Sequence, residues 1–453
     1  MNVRYGIPPD KLEIRVGEHS FCAEYPKEVW SEYPEDLKKV CAESLAYMES
    51  FCLPFLAKGC DEIDFDFGPP LFRSSLFDCF YRHLPVCADV DKVSTDSLIN
   101  KLLATKHTFR PVDGATPAKR GERASKGRAI VPFSFGKESL LTYSLALELG
   151  LKPEPVLSMN KCSPLEMKHL SERADAFSKE LKTRVWRVSN GLSEIGDYDY
   201  WGMPETEIGN TVVMTEYFFY MLPLADHIGA DYILLGCESS CNDNYINKDG
   251  YITYPVFDQS SSWLLQLTKM WQTMSGPSVH ATSLVEPLYE LAIVKMLHNR
   301  YPKIGKYQLS CFPDFSPHGA NRAWCQDCSK CARIFVMMKA NGLDPKAVGF
   351  TENMFNKEYR KFYSLFGLGD DISKTGYDMS GCNRGEELYA FYLAYKNGAR
   401  GELLDEFKKL HLKEAVARED ELHDTYLGIH DSKTIPSKVL KPLVSIYKEE
   451  LSR

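Results

Sequence analysis

The chain has 453 residues and no apolar run of eighteen or more, so no segment reads as a membrane-spanning helix. It shows no secretory leader, since Met1-Asn-Val-Arg-Tyr-Gly passes straight into polar sequence. These two absences make the cytoplasm the expected location, with no membrane partner. Basic charge is not in excess. The net charge of -8 argues against a surface built as a whole for nucleic acid, and leaves local basic patches open. There is no internal repeat. Cysteine, by contrast, is plentiful at fourteen. Most cysteines sit singly in apolar segments, as do Cys41, Cys52, Cys79, Cys87 and Cys237, and read as buried free thiols of a reducing compartment. The length predicts two or three domains with ample core.

The most informative stretch runs from Ala129 to Gly150. A short apolar run, Ala129 to Phe133, reads as a buried strand. The chain then turns through Ser134, Phe135, Gly136, Lys137, Glu138 and Ser139. It leaves as a helix whose Leu140, Leu141, Leu145, Leu147 and Leu149 crowd one broad face before Gly150 stops it. Strand, small polar loop and helix together cradle phosphate. The first helical N–H groups have no intrahelical acceptor, and the positive end of the dipole faces the loop. Ser134 and Ser139 add hydroxyl donors, Lys137 adds charge, and Gly136 lets backbone come close. Taken alone, the six residues fit an ordinary strand-to-helix turn equally well.

Residues 1–104 read as an α+β unit with a strand near 12–17, an amphipathic helix over 34–48 and a half-exposed strand near 62–67. The acids Asp61, Glu62, Asp64 and Asp66 read as a solvated face, with a metal site as the alternative. Residues 105–128 are rich in Lys, Arg, Pro and Gly without apolar periodicity. They read as a basic linker, or as a loop able to fold over a nucleotide's phosphates through Arg120 and Arg123. Over 129–342 apolar strands near 154–160, 184–189 and 231–236 alternate with helices over 165–181 and 212–228. This predicts an α/β, doubly wound parallel sheet covered on both faces. Ligands of such sheets bind beyond the carboxyl ends of the strands. That rule gathers 134–139, 158–160 and 236–244 around one crevice. Asn160 reads as a turn residue or a reader of adenine or ribose. Gly236 ends the fourth strand, and Glu238 and Asp243 beyond it are candidate Mg²⁺ carboxylates. Residues 343–453 read as a helical extension with helices over 384–395, 403–417 and 437–451. Its stripe of Leu388, Phe391, Tyr392 and Tyr395 reads as core.

Only one cysteine group is clustered. Cys325, Cys328 and Cys331 stand at two-residue gaps, and Cys311 supplies a fourth thiolate for a closed tetrahedral shell. With every position filled by protein, the expected ion is a structural Zn²⁺. An iron–sulfur cluster is the alternative.

The loop resembles that of the PP-loop ATPases, Ser-Gly-Gly-x-Asp-Ser, enzymes that split ATP between its α and β phosphates and activate a substrate oxygen as an adenylate. Ser134, Gly136 and Ser139 match, while Phe135 stands in place of a Gly and Glu138 in place of the Asp. Within that superfamily three features resemble the 7-cyano-7-deazaguanine synthases. They are the cysteine group followed by Arg333, the run from Thr211 to Gly236, and the segments Glu286-Pro-Leu-Tyr-Glu-Leu and Tyr307 to Cys311. The likeness covers roughly residues 128–342. It departs at Thr215-Glu216, where the family carries Arg-Asn, and at Gly250 to Asp258, where the family reads Gly-Tyr-Pro-Asp-Cys-Arg.

The resemblance implies a PP-loop ATPase fold and an ATP-dependent ligase. ATP would lie on Ser134, Phe135, Gly136, Lys137, Glu138, Ser139, Asn160 and Gly236, with Mg²⁺ bridging its phosphates. Lys137 and Ser139 would act in catalysis by stabilising phosphate charge. Zn²⁺ would sit on Cys311, Cys325, Cys328 and Cys331. The implied acceptor is a 7-carboxy-7-deazaguanine-like deazapurine, and the amine is ammonia or one carried by a protein or RNA. The amide so formed could pass to a nitrile in a second round, and a homodimer fits the same reading. If the basic linker holds ATP, neutralising Arg120 and Arg123 raises the Michaelis constant. Two other readings stay open. One is a non-catalytic nucleotide sensor or scaffold, supported by Phe135 and Glu138. The other, ranked lower, is a tRNA thiolase.

Overall fold

The computed structural model describes residues 1–367 and 383–452. The N-terminal strands are β1 (Asn2–Gly6), β2 (Lys11–Val16), β3 (His19–Glu24), β4 (Glu62–Phe65) and β5 (Lys106–Phe109). The middle of the chain adds β6 (Arg128–Pro132), β7 (Lys152–Asn160), β8 (Trp186–Asn190) and β9 (Tyr232–Leu234). A small hairpin, β10 (Tyr245–Ile246) and β11 (Ile252–Thr253), precedes β12 (His280–Thr282). All but the hairpin strands join in one ten-stranded sheet, in the order β12-β9-β6-β7-β8-β3-β2-β1-β4-β5.

The five strands β12-β9-β6-β7-β8 are parallel throughout. Their order is that of an α/β sheet in which the winding reverses between β6 and β9, which is where such sheets open a crevice. Both faces are covered. Ile130, Val156, Val188, Ile233 and Ala281 point to one core, shared with helices Val213–Ile228 and Ser261–Ser275. Ala129, Val131, Leu157 and Leu234 point to the other. That core is shared with helices Lys137–Glu148, Pro164–Leu181, Glu290–Arg300 and Ser329–Ala340. This explains the continuous apolar character of these strands.

The N-terminal residues do not build a separate sheet. β3 pairs antiparallel with β8, Ala23 opposite Asn190, and so extends the central sheet. Nor is residue 105–128 wholly a linker, because its first residues are strand β5. β5 pairs in parallel with β4, with Glu62 opposite Lys106 and Asp64 opposite Thr108. Lys106 bonds Glu62, Thr108 bonds Asp64, and Arg110 pairs with Asp66. The acidic face is thus met by the basic segment, a cross-strand match of opposite charge. Inward, His107 and Phe109 pack on Tyr47 and Phe65. A strand this short, with polar outward residues, leaves no apolar period to read.

The rest of the basic segment is stitched to the body of the protein. Arg120 forms a two-pronged contact with Asp36, both bonds at 2.9 Å, and Arg123 bonds the Ala230 carbonyl. Neither lines the crevice described below. This removes the basis for expecting them on a nucleotide. The Arg120 contact holds the Asp36 carboxyl down at about 2. Arg120→Ala is therefore expected to lower stability by about 1 kcal/mol at neutral pH, with the partial exposure of the pair limiting the effect. Because the folded value is depressed, this contribution is present above the ordinary Asp range and fades as pH falls toward 2. Denaturant titrations of both proteins at pH 7 and pH 3 check it.

The C-terminal residues pack against the second core. Leu388, Phe391 and Tyr392 are buried, as expected, and Tyr395 is half-buried. The single helix expected over 403–417 is two, Glu402–Leu410 and Leu412–Ala417. They meet at His411, whose ring contacts Phe366 and Phe407. Cys41, Cys52, Cys79, Cys87 and Cys237 are buried and unpaired. Among the described residues no helix is long and apolar enough to cross a membrane.

Candidate functional site

A cavity of about 400 Å³ opens at the carboxyl ends of β6, β7 and β9, at the reversal of winding. Ser134, Lys137, Glu138 and Ser139 line it from the first turn, Ser158 and Asn160 from β7, and Gly236 and Glu238 from the segment after β9. The middle-third residues singled out by sequence therefore share one crevice, apart from Phe135, Gly136 and Asp243.

Gly136 caps the Lys137–Glu148 helix with an ordinary φ of -64°, so its need is for space rather than for an unusual backbone. A Cβ there would lie 3.3 Å from both Ser134 Oγ and Glu138 Oε2. The Gly136 N–H donates to Ser134 Oγ at 3.4 Å, and Ser139 Oγ donates to the Gly136 carbonyl at 3.0 Å. The loop is thereby wound on the helix start, whose first N–H groups have no intrahelical acceptor. Gly236 is needed for close approach as well, since a Cβ there would fall 2.9 Å from Glu138 Cβ.

Phe135 has φ +59°, the left-handed region that glycine favours. Its ring is fully buried against Phe133 and Phe177 and does not line the cavity, and its carbonyl accepts from the Leu309 N–H at 2.9 Å. A bulky residue at this position thus leaves the loop open. The strain of the left-handed backbone is offset by the buried ring.

Behind the loop lies a buried charge network. Lys137 pairs with Glu138 and, at 2.8 Å, with Glu290. Glu290 also accepts from Arg333 at 3.0 Å. Burial opposes the Lys137 charge, but Glu138 and Glu290 outweigh it and hold the ammonium well above the usual lysine value. Burial likewise pushes Glu290 upward, yet Arg333 and Lys137 bring it below the usual carboxylate range. Glu238 faces no such cation directly. Burial and the Glu290 charge push it up to about 8. Glu386, from the C-terminal helix Arg384–Lys396, accepts from the Leu291 N–H at 2.7 Å. Burial with the charges of Glu290 and Glu238 raises it far above the ordinary range. Glu386 shows that the C-terminal region supplies a carboxyl at the back of this site.

The Asn160 side-chain oxygen accepts from the Cys162 N–H at 2.9 Å and Ser193 Oγ at 2.8 Å, the pattern of a turn residue. Asp243 does not line the cavity and accepts from the Tyr289 hydroxyl at 3.2 Å. Of the two candidate Mg²⁺ carboxylates only Glu238 is in position. Among the described residues no group of three carboxylates or histidines converges closely enough to share an ion. A Mg²⁺ ion here would depend mainly on phosphate oxygens and water.

The four thiols of Cys311, Cys325, Cys328 and Cys331 lie within 4.8 Å of one another. Cys331 Sγ is 3.6 Å from Cys311 Sγ and 3.8 Å from Cys325 Sγ. A tetrahedral ion with metal–sulfur bonds of about 2.3 Å needs sulfur–sulfur edges of about 3.8 Å, so the spacing fits a zinc ion. Backbone N–H groups donate to the sulfurs, as from Cys325 to Cys311 at 3.2 Å and from Asp327 to Cys325 at 3.3 Å. These bonds favour thiolate. Gln326 takes the left-handed φ of +56° at the knuckle, and its side-chain oxygen accepts from the Thr351 and Glu352 N–H groups, each at 2.8 Å. Cys328 caps the Ser329–Ala340 helix, accepting from the Cys331 N–H at 3.4 Å. That helix start carries Lys330 and Arg333, both in the cavity lining. The cysteine group therefore stands off the cavity but fixes two of its cations.

Lys330, Glu166, Glu290 and Glu386 are charged residues in or beside the cavity to which sequence reasoning gave no role, although Lys330 lies inside the cysteine group and Glu290 inside the segment Glu286 to Leu291. No local pattern announces their roles, because those depend on contacts distant in the chain. In comparison with known proteins, the chain matches no family model and no curated sequence.

Proposed function

We propose that the cavity binds ATP and that the protein is an ATP-dependent ligase of PP-loop type. The observation that carries this reading is the phosphate-type loop of 134–139, wound on a helix start at the point where the sheet reverses, with Lys137 held charged behind it. An acceptor carboxylate attacks the α-phosphorus and pyrophosphate leaves. An amine then displaces AMP from the activated acyl carbon, giving an amide. Lys137 and Ser139 stabilise charge on the phosphates, and the helix start orients them, so the protein acts by position and electrostatics. Mg²⁺ would neutralise phosphate charge beside Glu238. Cys311, Cys325, Cys328 and Cys331 would hold a structural zinc, since protein thiolates would fill all four positions. By resemblance the acceptor is a 7-carboxy-7-deazaguanine-like compound and the amine is ammonia or one borne by a protein or RNA. The test is mass spectrometry of the protein with ATP·Mg²⁺, 7-carboxy-7-deazaguanine and ammonia. AMP, pyrophosphate and a new amide or nitrile support the reading. Intact ATP across a panel of carboxylates tells against it.

The sensor reading drew on Phe135 and Glu138. The Phe135 ring faces the core, so only Glu138 still favours it, by drawing the Lys137 ammonium toward itself.

Glu238 gives this reading a pH signature. With its value near 8, Glu238 is mostly neutral at pH 7 and ionises beside the phosphates at pH 9. Affinity for ATP without Mg²⁺ is expected to fall severalfold between those pH values, and Glu238→Gln to flatten the dependence. Calorimetric titrations of both proteins at the two pH values check it.

A further inference from the structure

Three cations line the cavity: Lys137, Lys330 and Arg333. Lys137 and Arg333 share the Glu290 carboxylate, so much of their charge is met within the protein. Lys330 is different. Among the described residues no carboxylate lies within ion-pair distance of its ammonium. Its nitrogen sits 3.6 Å over the centre of the Phe312 ring. An aromatic face attracts a cation without neutralising it. The negative charges that act on it without touching it are Glu166, which lines the same cavity and is pushed toward its neutral form by burial, and the thiolates of Cys328 and Cys311.

The backbone at Lys330 is set by its neighbours. It lies between Cys328 and Cys331, whose own hydrogen bond closes the first turn of the Ser329–Ala340 helix. The loop ahead of it is tied down too. Asp314 accepts from the Leu165 and Glu166 N–H groups at 2.9 and 3.0 Å, joining that loop to the far wall of the cavity. A partly buried ammonium with no carboxylate in direct contact is costly, and here it stands across from a helix start suited to an anion.

We infer that Lys330 is a phosphate-reading residue of this site. It leaves the Phe312 face to make a charge-assisted hydrogen bond to a polyphosphate group, and the cysteine-bound metal aims it. This rests on the cavity being the nucleotide site proposed above. Its chemistry is that of a polyphosphate, whether part of ATP or free.

Calorimetric titration with ATP and with inorganic tripolyphosphate, on metal-loaded wild-type protein, Lys330→Gln and Lys330→Arg, tests it. Lys330→Gln should weaken both ligands by about 10–100-fold, the range for losing a charged hydrogen bond. Its metal content and melting temperature should match wild type, and Lys330→Arg should restore most of the affinity. Equal affinity of wild type and Lys330→Gln for tripolyphosphate overturns the inference. So does a loss that Lys330→Arg shares, or one that comes with loss of metal, since either marks a structural role. Wild-type protein that binds neither ligand overturns it as well. If Lys330 proves to read polyphosphate but no carboxylate yields AMP and pyrophosphate, the inference stands and the ligase reading falls.

Discussion

Cys331→Ser is expected to abolish metal binding and to leave the region from Cys311 to Thr351 without a defined fold. Structural zinc contributes apparent free energies of about 10–16 kcal/mol in small zinc domains, as large as the whole stability of an ordinary domain. Four features here would depend on such an ion at once. The Cys328 cap starts the Ser329–Ala340 helix, Gln326 gathers the Thr351 segment, and the preceding loop bonds helix Pro164–Leu181 through Asp314. The fourth is Arg333, which must reach Glu290 from the first turns of that helix. Metal analysis should give one zinc per chain for the wild type and none for the variant. Near-ultraviolet circular dichroism should show loss of the signal from Trp324, which is buried beside the cluster with its indole N–H on the Val348 carbonyl. Cys237→Ser is the control, a buried thiol outside the group. It should keep the zinc and cost only about 1–2 kcal/mol. Full metal content in Cys331→Ser contradicts the four-cysteine site.

Glu290→Gln should destabilise the protein by about 3–5 kcal/mol, the usual cost of removing one member of a buried ion pair. The substitution is nearly the same size, so packing is kept and the loss is electrostatic. It leaves Lys137 with Glu138 alone and takes from Arg333 its 3.0 Å carboxylate partner. Adding Lys137→Met to Glu290→Gln should recover part of the loss, since the buried ammonium is then gone, and a double-mutant cycle measures the coupling. The sign with pH is also set. Arg333 and Lys137 hold the Glu290 carboxyl below its ordinary range, against burial. Its contribution is therefore fully present above the ordinary carboxylate value and is lost as pH falls through the depressed one. The stability gap between wild type and Glu290→Gln should narrow in acid. Denaturant titrations at pH 7 and pH 4 show this directly, and a gap that widens in acid contradicts the network.

What could be read from the sequence was what is local. The strand, turn and helix from Ala129 to Gly150 carry apolar runs and small polar residues in one continuous piece. The cysteine spacing needs only three residues per turn of the knuckle. The alternation of apolar strands and helices announced a covered parallel sheet, because such strands are apolar on both faces. Strand β5 was hidden inside a basic stretch, since its outward Lys106 and Thr108 are matched by Glu62 and Asp64 some forty residues earlier. The orientation of Phe135 was equally out of reach. Whether its ring fills the loop or the core depends on one backbone angle and on Phe177, a residue of another helix. Glu290 stands in the quoted segment Glu286 to Leu291, but it meets Glu386 only through the packing of the C-terminal helix Arg384–Lys396. Arg120 and Arg123 had the charge expected of phosphate binders, but Asp36 and Ala230 claim them. In each case a short-range pattern was visible and a long-range partner decided its use.

Isotope transfer tests the central claim most directly. The protein is given ATP·Mg²⁺, ammonia and a candidate acceptor whose carboxylate is labelled with ¹⁸O, and the nucleotide products are weighed by mass spectrometry. Attack of the carboxylate on the α-phosphorus predicts AMP carrying one ¹⁸O atom, with unlabelled pyrophosphate in equal amount. ADP with labelled phosphate, or AMP without label, contradicts adenylation of the acceptor at this site.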